Sequence, residues 1–143
     1  MKSKLLILAA VAALAVSTAA TAAIVTGTPG DDTLAGTSNG DVIYGRAGND
    51  VIRAHAGNDV LYGGTGNDVM WPGSGVDVQY GGAGNDVLHA LANDNQPDIL
   101  DCGPGFDTAL VIRNDPARFR GCERIARLSP EEATALGTAN DDS

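Results

Sequence analysis

The chain has 143 residues and a formal net charge of −9, with 19 glycines but only two Phe, three Tyr and one Trp. That length suffices for one domain, and so few large side chains exclude a broad globular core in favour of a narrow one. The acidic balance points away from nucleic acid and from anionic membranes as partners.

Lys2 and Lys4 precede an apolar run from Leu5 to Val16, which gives way to small residues ending in Ala20-Thr21-Ala22. This reads as a secretory signal peptide over residues 1–22, cut after Ala22 or Ala23. The apolar run is shorter than the roughly 20 residues that span a bilayer, so no membrane span is expected after cleavage. Both lysines leave with it, and the remainder sets seven arginines against eighteen acids. The expected location is extracellular, or periplasmic where the host has an outer membrane.

From Gly27 to His89 the sequence divides into nonapeptides such as GRAGNDVIR, AHAGNDVLY, GGTGNDVMW and GGAGNDVLH. An Asp recurs every nine residues, at Asp32, Asp41, Asp50, Asp59, Asp68, Asp77 and Asp86. Two residues after each stands Leu34, Ile43, Ile52, Leu61, Met70, Gln79 or Leu88. A unit this short cannot bury its apolar residue alone and must stack on its neighbours, which makes a solenoid. Glycines at the first, second and fourth positions permit φ > 0 and tight turning, which exposes carbonyl oxygens on the inside of a bend. The Asp at the sixth position adds a carboxylate. Such an all-oxygen set suits calcium, a hard cation that takes about six to eight oxygen ligands. The residues after the Asp are largely β-branched or aromatic and predict a short strand whose eighth position points inward.

These units resemble GGxGxDxUx, where U is large and apolar, the calcium-binding repeat of the RTX (haemolysin-type) family, and the chain resembles small secreted bacterial members of it. The resemblance implies an all-β fold, a right-handed parallel β-roll (β-solenoid) with two units per turn and several bound Ca2+ ions. Two rows of loops follow. One carries Asp32, Asp50, Asp68 and Asp86, and the other Asp41, Asp59 and Asp77. The second row departs from the pattern, with Asn39 at a fourth position, Ala54 and Pro72 at first positions and Val76 in place of Asn. The first row is therefore expected to hold calcium more tightly. Stacked carboxylates would repel without a counter-ion, so calcium is expected to drive folding.

The ninth positions give Tyr44, Tyr62 and Tyr80 on one sheet and Ala35, Arg53, Trp71 and His89 on the other. Stacking would set the tyrosines about 4.8 Å apart as a ladder, either a stabiliser of the sheet or a binding face for a sugar or a protein. Gln79 falls at an inward position, where a polar side chain needs a partner.

After His89 the segment ALANDNQPDILD carries three extra residues before the pattern resumes at Asp98 and Leu100, which predicts a loop near Asn93 to Pro97. Asp107 would then align with the first row, extending the metal ligands to Asp98 and Asp107. Arg113, Arg118, Arg120, Arg124 and Arg127 read as a solvated face that compensates carboxylates, or else as a patch for an acidic polysaccharide. In a secreted chain Cys102 and Cys122 most simply form a disulfide, there being no CxxC spacing for zinc or redox chemistry. Ser-Pro-Glu-Glu from Ser129 predicts a short helix with Ser129 as N-cap. The expected organisation is signal peptide 1–22, roll 23–110, disulfide-tied cap 111–128, and a short helix or disordered acidic tail over 129–143.

No catalytic constellation is legible. His55 and His89 lack HExxH spacing, Ser74 does not sit in GxSxG, and the repeat already accounts for the paired carboxylates. The expectation is a non-enzymatic secreted calcium-binding protein. The alternative is a calcium-dependent module that binds extracellular polysaccharide or a cell surface, or a partner of another secreted protein.

Overall fold

The computed structural model describes residues 21–136. All but the last two residues of the expected signal peptide lie outside them, as do residues 137–143. Twelve strands follow in chain order: β1 (Ile24–Thr26), β2 (Thr33–Ala35), β3 (Val42–Ala47), β4 (Val51–Arg53), β5 (Val60–Thr65), β6 (Val69–Trp71), β7 (Val78–Ala83), β8 (Val87–Ala90), β9 (Ile99–Asp101), β10 (Thr108–Ile112), β11 (Arg118–Arg120) and β12 (Arg124–Leu128). The helix α1 (Pro130–Ala135) comes last.

Odd and even strands separate into two parallel six-stranded sheets, in the orders β1-β3-β5-β7-β9-β11 and β2-β4-β6-β8-β10-β12. Each turn of the β-solenoid thus takes one strand from each sheet, as two nonapeptides per turn require. Register follows the sequence period: Val42 pairs with Val60 and Val60 with Val78, while Ile52 pairs with Met70 and Met70 with Leu88.

The strands form where a β-branched residue at the seventh position precedes the inward eighth. Ile43, Ile52, Leu61, Met70, Leu88 and Leu100 are fully buried between the sheets, joined by Leu34, Val111 and Ala109. Gln79 is buried in the same column, where its Nε2 donates to the carbonyl of His89 at 2.7 Å while its Oε1 takes no hydrogen bond.

The glycines divide their work differently from the expectation. Positive φ belongs to the second and fourth positions, and at the second it is adopted even by Arg46 (86°) and His55 (78°). First-position glycines are needed for room instead: a Cβ on Gly45 would collide with the carbonyl of Gly63 in the next turn.

The three extra residues around Asn93 to Pro97 form a loop that leaves both rows in phase, because Asp77 is bonded to Asp98 and Asp86 to Asp107, each 21 residues on. Strands β10, β11 and β12 carry both sheets past residue 110. The Cys102–Cys122 disulfide is present, its Cα atoms 5.2 Å apart, and ties the last turn to the one before it. Helix α1 has a full capping box, with Glu132 N–H donating to Ser129 Oγ at 3.2 Å and Ser129 N–H to Glu132 Oε2 at 2.7 Å. It buries Ala133 against Leu91 and Ile112. Among the described residues no helix is long and apolar enough to cross a membrane.

Candidate metal centre

Every loop brings its Asp to one place. The strand that follows fixes the backbone, and the turn of glycines before it folds back toward the carboxylate. In the first row Asp32, Asp50, Asp68 and Asp86 each donate a backbone N–H to Oδ1 of the Asp one turn along, at 2.9, 2.8, 2.8 and 2.7 Å, the last acceptor being Asp107. In the second row Asp41, Asp59 and Asp77 do the same at 2.6, 2.7 and 2.9 Å, ending on Asp98. Asp50, Asp59, Asp68, Asp77 and Asp107 are fully buried, and Asp41, Asp86 and Asp98 nearly so. The predicted ligands therefore stand in two continuous ladders.

One oxygen of each carboxylate is thereby used. The other, Oδ2, is buried without a hydrogen-bond partner in Asp50, Asp59, Asp68, Asp77, Asp86 and Asp107. A buried carboxylate oxygen left in this way is costly. In the first row the missing side chain of the first-position glycine leaves a cradle beside it. A Cβ on Gly45 would meet both Asp50 Oδ2 and the carbonyl of Gly63, one on Gly63 would meet Asp68 Oδ2 and the carbonyl of Gly81, and one on Gly81 would lie 2.6 Å from Asp86 Oδ2 and against the carbonyl of Cys102. Two acceptors border each cradle. This is the donor set of a hard cation, carboxylate plus carbonyl, and the residues fit calcium. Among the described residues no three Asp, Glu, His or Cys side chains converge on one point, so carbonyls would have to complete each site.

The second row differs where the sequence does. Ala54 and Pro72 carry side chains at the first positions beside Asp59 and Asp77, and both are buried. Burial pushes the carboxyls of Asp59 and Asp98 up to about 7 and that of Asp77 to about 8. In the first row burial raises Asp50 and Asp68 and takes Asp86 to about 6. Hydrogen bonds from backbone amides oppose the shift throughout, because they favour the charged form.

The first turn of each row departs from the pattern in a way the spacing did not disclose. Thr28 donates its N–H (2.6 Å) and its hydroxyl (2.9 Å) to Asp32 Oδ2, and the Thr37 hydroxyl reaches Asp41 Oδ2 at 3.0 Å. These two carboxylates have donors on Oδ2 in addition to the carbonyls of Gly45 and Ala54 that border the cradles of Gly27 and Gly36. The visible signal was Thr at a second position otherwise held by Gly, Arg or His.

Tyr44, Tyr62 and Tyr80 form the expected ladder, with centroids 4.9 Å apart at both steps and planes within 8°. Their faces cover one another, and the next residues along the ladder are Thr26 beside Tyr44 and Asp101 beside Tyr80. On the other sheet the Arg53 guanidinium lies 4.2 Å over Trp71, which stacks on His89 at 4.4 Å. Arg113, Arg118, Arg120, Arg124 and Arg127 are exposed near the C-terminal end of the roll, where Arg127 lies 5.7 Å over the Phe119 ring and the charges of Arg127 and Arg113 favour the ionised carboxylates of Asp115 and Glu132.

The RTX calcium-binding nonapeptide repeat, as a sequence family, matches residues 26–61, 47–79 and 73–96 in four copies. No curated protein matches the chain.

Proposed function

The chain belongs to the RTX calcium-binding nonapeptide-repeat family, whose repeats bind Ca2+, and we propose that it is a secreted, non-enzymatic protein whose β-roll folds when calcium enters its first row of loops. Repeats of this family are typically structural and extracellular. The ions are assigned first to Asp50, Asp68 and Asp86, each with the carbonyl of the next turn, and only weakly to Asp59, Asp77 and Asp98. Asp32 and Asp41 have the donors of Thr28 and Thr37 in place of an ion.

The observation that carries this reading is the set of buried, unpartnered Oδ2 atoms facing carbonyl oxygens across the cradles of Gly45, Gly63 and Gly81. Bound calcium supplies the positive charge that lets those oxygens lie together. The chain's own residues do the rest: the amide-to-Oδ1 ladder orients each carboxylate, the absent Cβ leaves room, and the neighbouring turn presents its carbonyl. Binding free energy then becomes folding free energy, since the unfolded chain has no such array.

The test is circular dichroism of the secreted chain titrated with calcium, with magnesium as control. A cooperative gain of β-structure with calcium alone supports the reading. A spectrum already β-rich and indifferent to calcium sinks it, and leaves the roll standing on its ladders and its disulfide.

A further inference from the structure

We propose that the counter-ion at the start of the second row is the chain's own N-terminus: cleavage between Ala22 and Ala23 frees an α-ammonium on Ala23 that pairs with the Asp41 carboxylate. This rests on the reading of the chain as secreted. The ladder supplies the rule. Asp41 donates its N–H to Asp59 Oδ1 at 2.6 Å, and its carbonyl accepts from Val60 N–H at 2.8 Å. Ala23, 18 residues before Asp41, makes the same two bonds one turn earlier. Its N–H donates to Asp41 Oδ1 at 2.6 Å, and its carbonyl accepts from Val42 N–H at 2.9 Å. Ala23 is thus the first rung of the row, in the register of the repeated Asp but with no carboxylate of its own.

The nitrogen of that rung belongs to the peptide bond at the end of Ala20-Thr21-Ala22, the small-residue segment that a signal peptidase reads. A cut after Ala22 keeps the rung and converts its amide into an ammonium. A cut after Ala23 deletes both of its bonds. Thr21 and Ala22 are exposed and Ala23 is half-buried, so burial of the chain begins at the new terminus.

Charge gives the ammonium its role. Asp41 is almost fully buried, and Thr37 donates its amide to Oδ2 and its hydroxyl to both carboxylate oxygens. These donors are neutral. They satisfy lone pairs without cancelling the charge, which repels the Asp59 carboxylate next along the row. An α-ammonium is cationic at neutral pH, and its bond to a carboxylate is charge-assisted from both sides.

The test exploits the composition. Lys2 and Lys4 both leave with the signal, so the α-amino group is the only amine of the mature chain and acetylation marks it alone. N-terminal sequencing of the exported chain is expected to begin at Ala23. Acetylation in denaturant, followed by refolding in calcium, keeps an N–H for Asp41 and removes only the charge. Denaturant unfolding should then give a roughly fivefold smaller folding constant, and none of that loss in Asp41→Asn. A chain begun at Ala22 moves the charge one residue away and should match the acetylated one. A start at Ile24, an unchanged folding constant on acetylation, or an equal loss in Asp41→Asn would overturn the pairing alone. A chain found only with residues 1–22 intact would overturn the secretion reading and the pairing with it.

Discussion

Asp50 donates its backbone N–H to Oδ1 of Asp68 at 2.8 Å, and Oδ2 of the same Asp68 carboxylate is left buried and unpaired. One side chain thus holds two turns together with one oxygen and offers the other to a cation. The two tasks are separable by substitution.

Asp68→Asn keeps an acceptor for the Asp50 amide and turns the second oxygen into a donor aimed toward the carbonyl of Gly81. The expected outcome is a metal-free chain with more β-structure, one calcium fewer, and a calcium midpoint raised about tenfold, the effect of about 1.4 kcal/mol. Asp59→Asn, beside Ala54, should leave the number and midpoint of the tight sites unchanged. Equal losses in the two variants would dispose of the distinction between the rows.

Gly63→Ala places a methyl against backbone oxygen of the next turn and against Asp68 Oδ2. Neither can move without shifting the strand, so a loss of about 1–3 kcal/mol is expected, with weakened calcium binding. Gly30→Ala meets only Thr28 Oγ1, at 3.9 Å, and should stay within about 0.5 kcal/mol of wild type. Calorimetric unfolding at saturating calcium compares them.

Acidity should substitute for calcium in part. The folded carboxyls of Asp59, Asp77 and Asp98 sit at about 7, 8 and 7, above the ordinary value of 3.8 that they regain on unfolding. A raised folded value makes the folded state the better proton binder, so its stability falls as pH rises from about 4 to about 8. In chelator, β-structure should grow on acidification from pH 8 to 5, while the calcium midpoint moves higher because protons compete. A dichroism signal that stays flat across that range in chelator is the contrary result.

Reduction of the disulfide, which links residues 20 apart, should cost about 3 kcal/mol through the freedom returned to the unfolded chain. Denaturant unfolding in calcium, with and without reductant, measures it.

Tyr62→Ser removes both steps of the ladder at once. With each aromatic pair worth about 0.5–1.5 kcal/mol, a loss of about 1–3 kcal/mol is expected at unchanged calcium stoichiometry. A changed stoichiometry would mean that the outer face and the loops are coupled.

Much of this architecture was legible because its signals are local and repeated. The inward column from Leu34 to Leu88, the two rows of Asp and the tyrosine spacing all follow from a period of nine folded into turns of eighteen. The disulfide followed from a count of two cysteines. What escaped depends on contacts between turns. That first-position glycines serve close approach rather than positive φ is decided by a carbonyl one turn away. The carbonyl of His89, which receives the Gln79 amide, lies on the opposite sheet, and Glu123 reaches Asp107 from a segment with no repeat in it. The Thr28 and Thr37 hydroxyls look like ordinary loop polarity until the carboxylates are placed beside them.

The loop between Leu91 and Asp98 absorbs three additional residues while the ladders on either side continue at the same bond lengths. The molecule therefore keeps time by hydrogen-bonded rungs rather than by residue number, and a rung does not register what its connecting arc contains. Gln96 and Pro97 are exposed on that arc. A foreign peptide spliced between them would be displayed at the flank of a rigid rod, which makes this small protein a natural grafting scaffold.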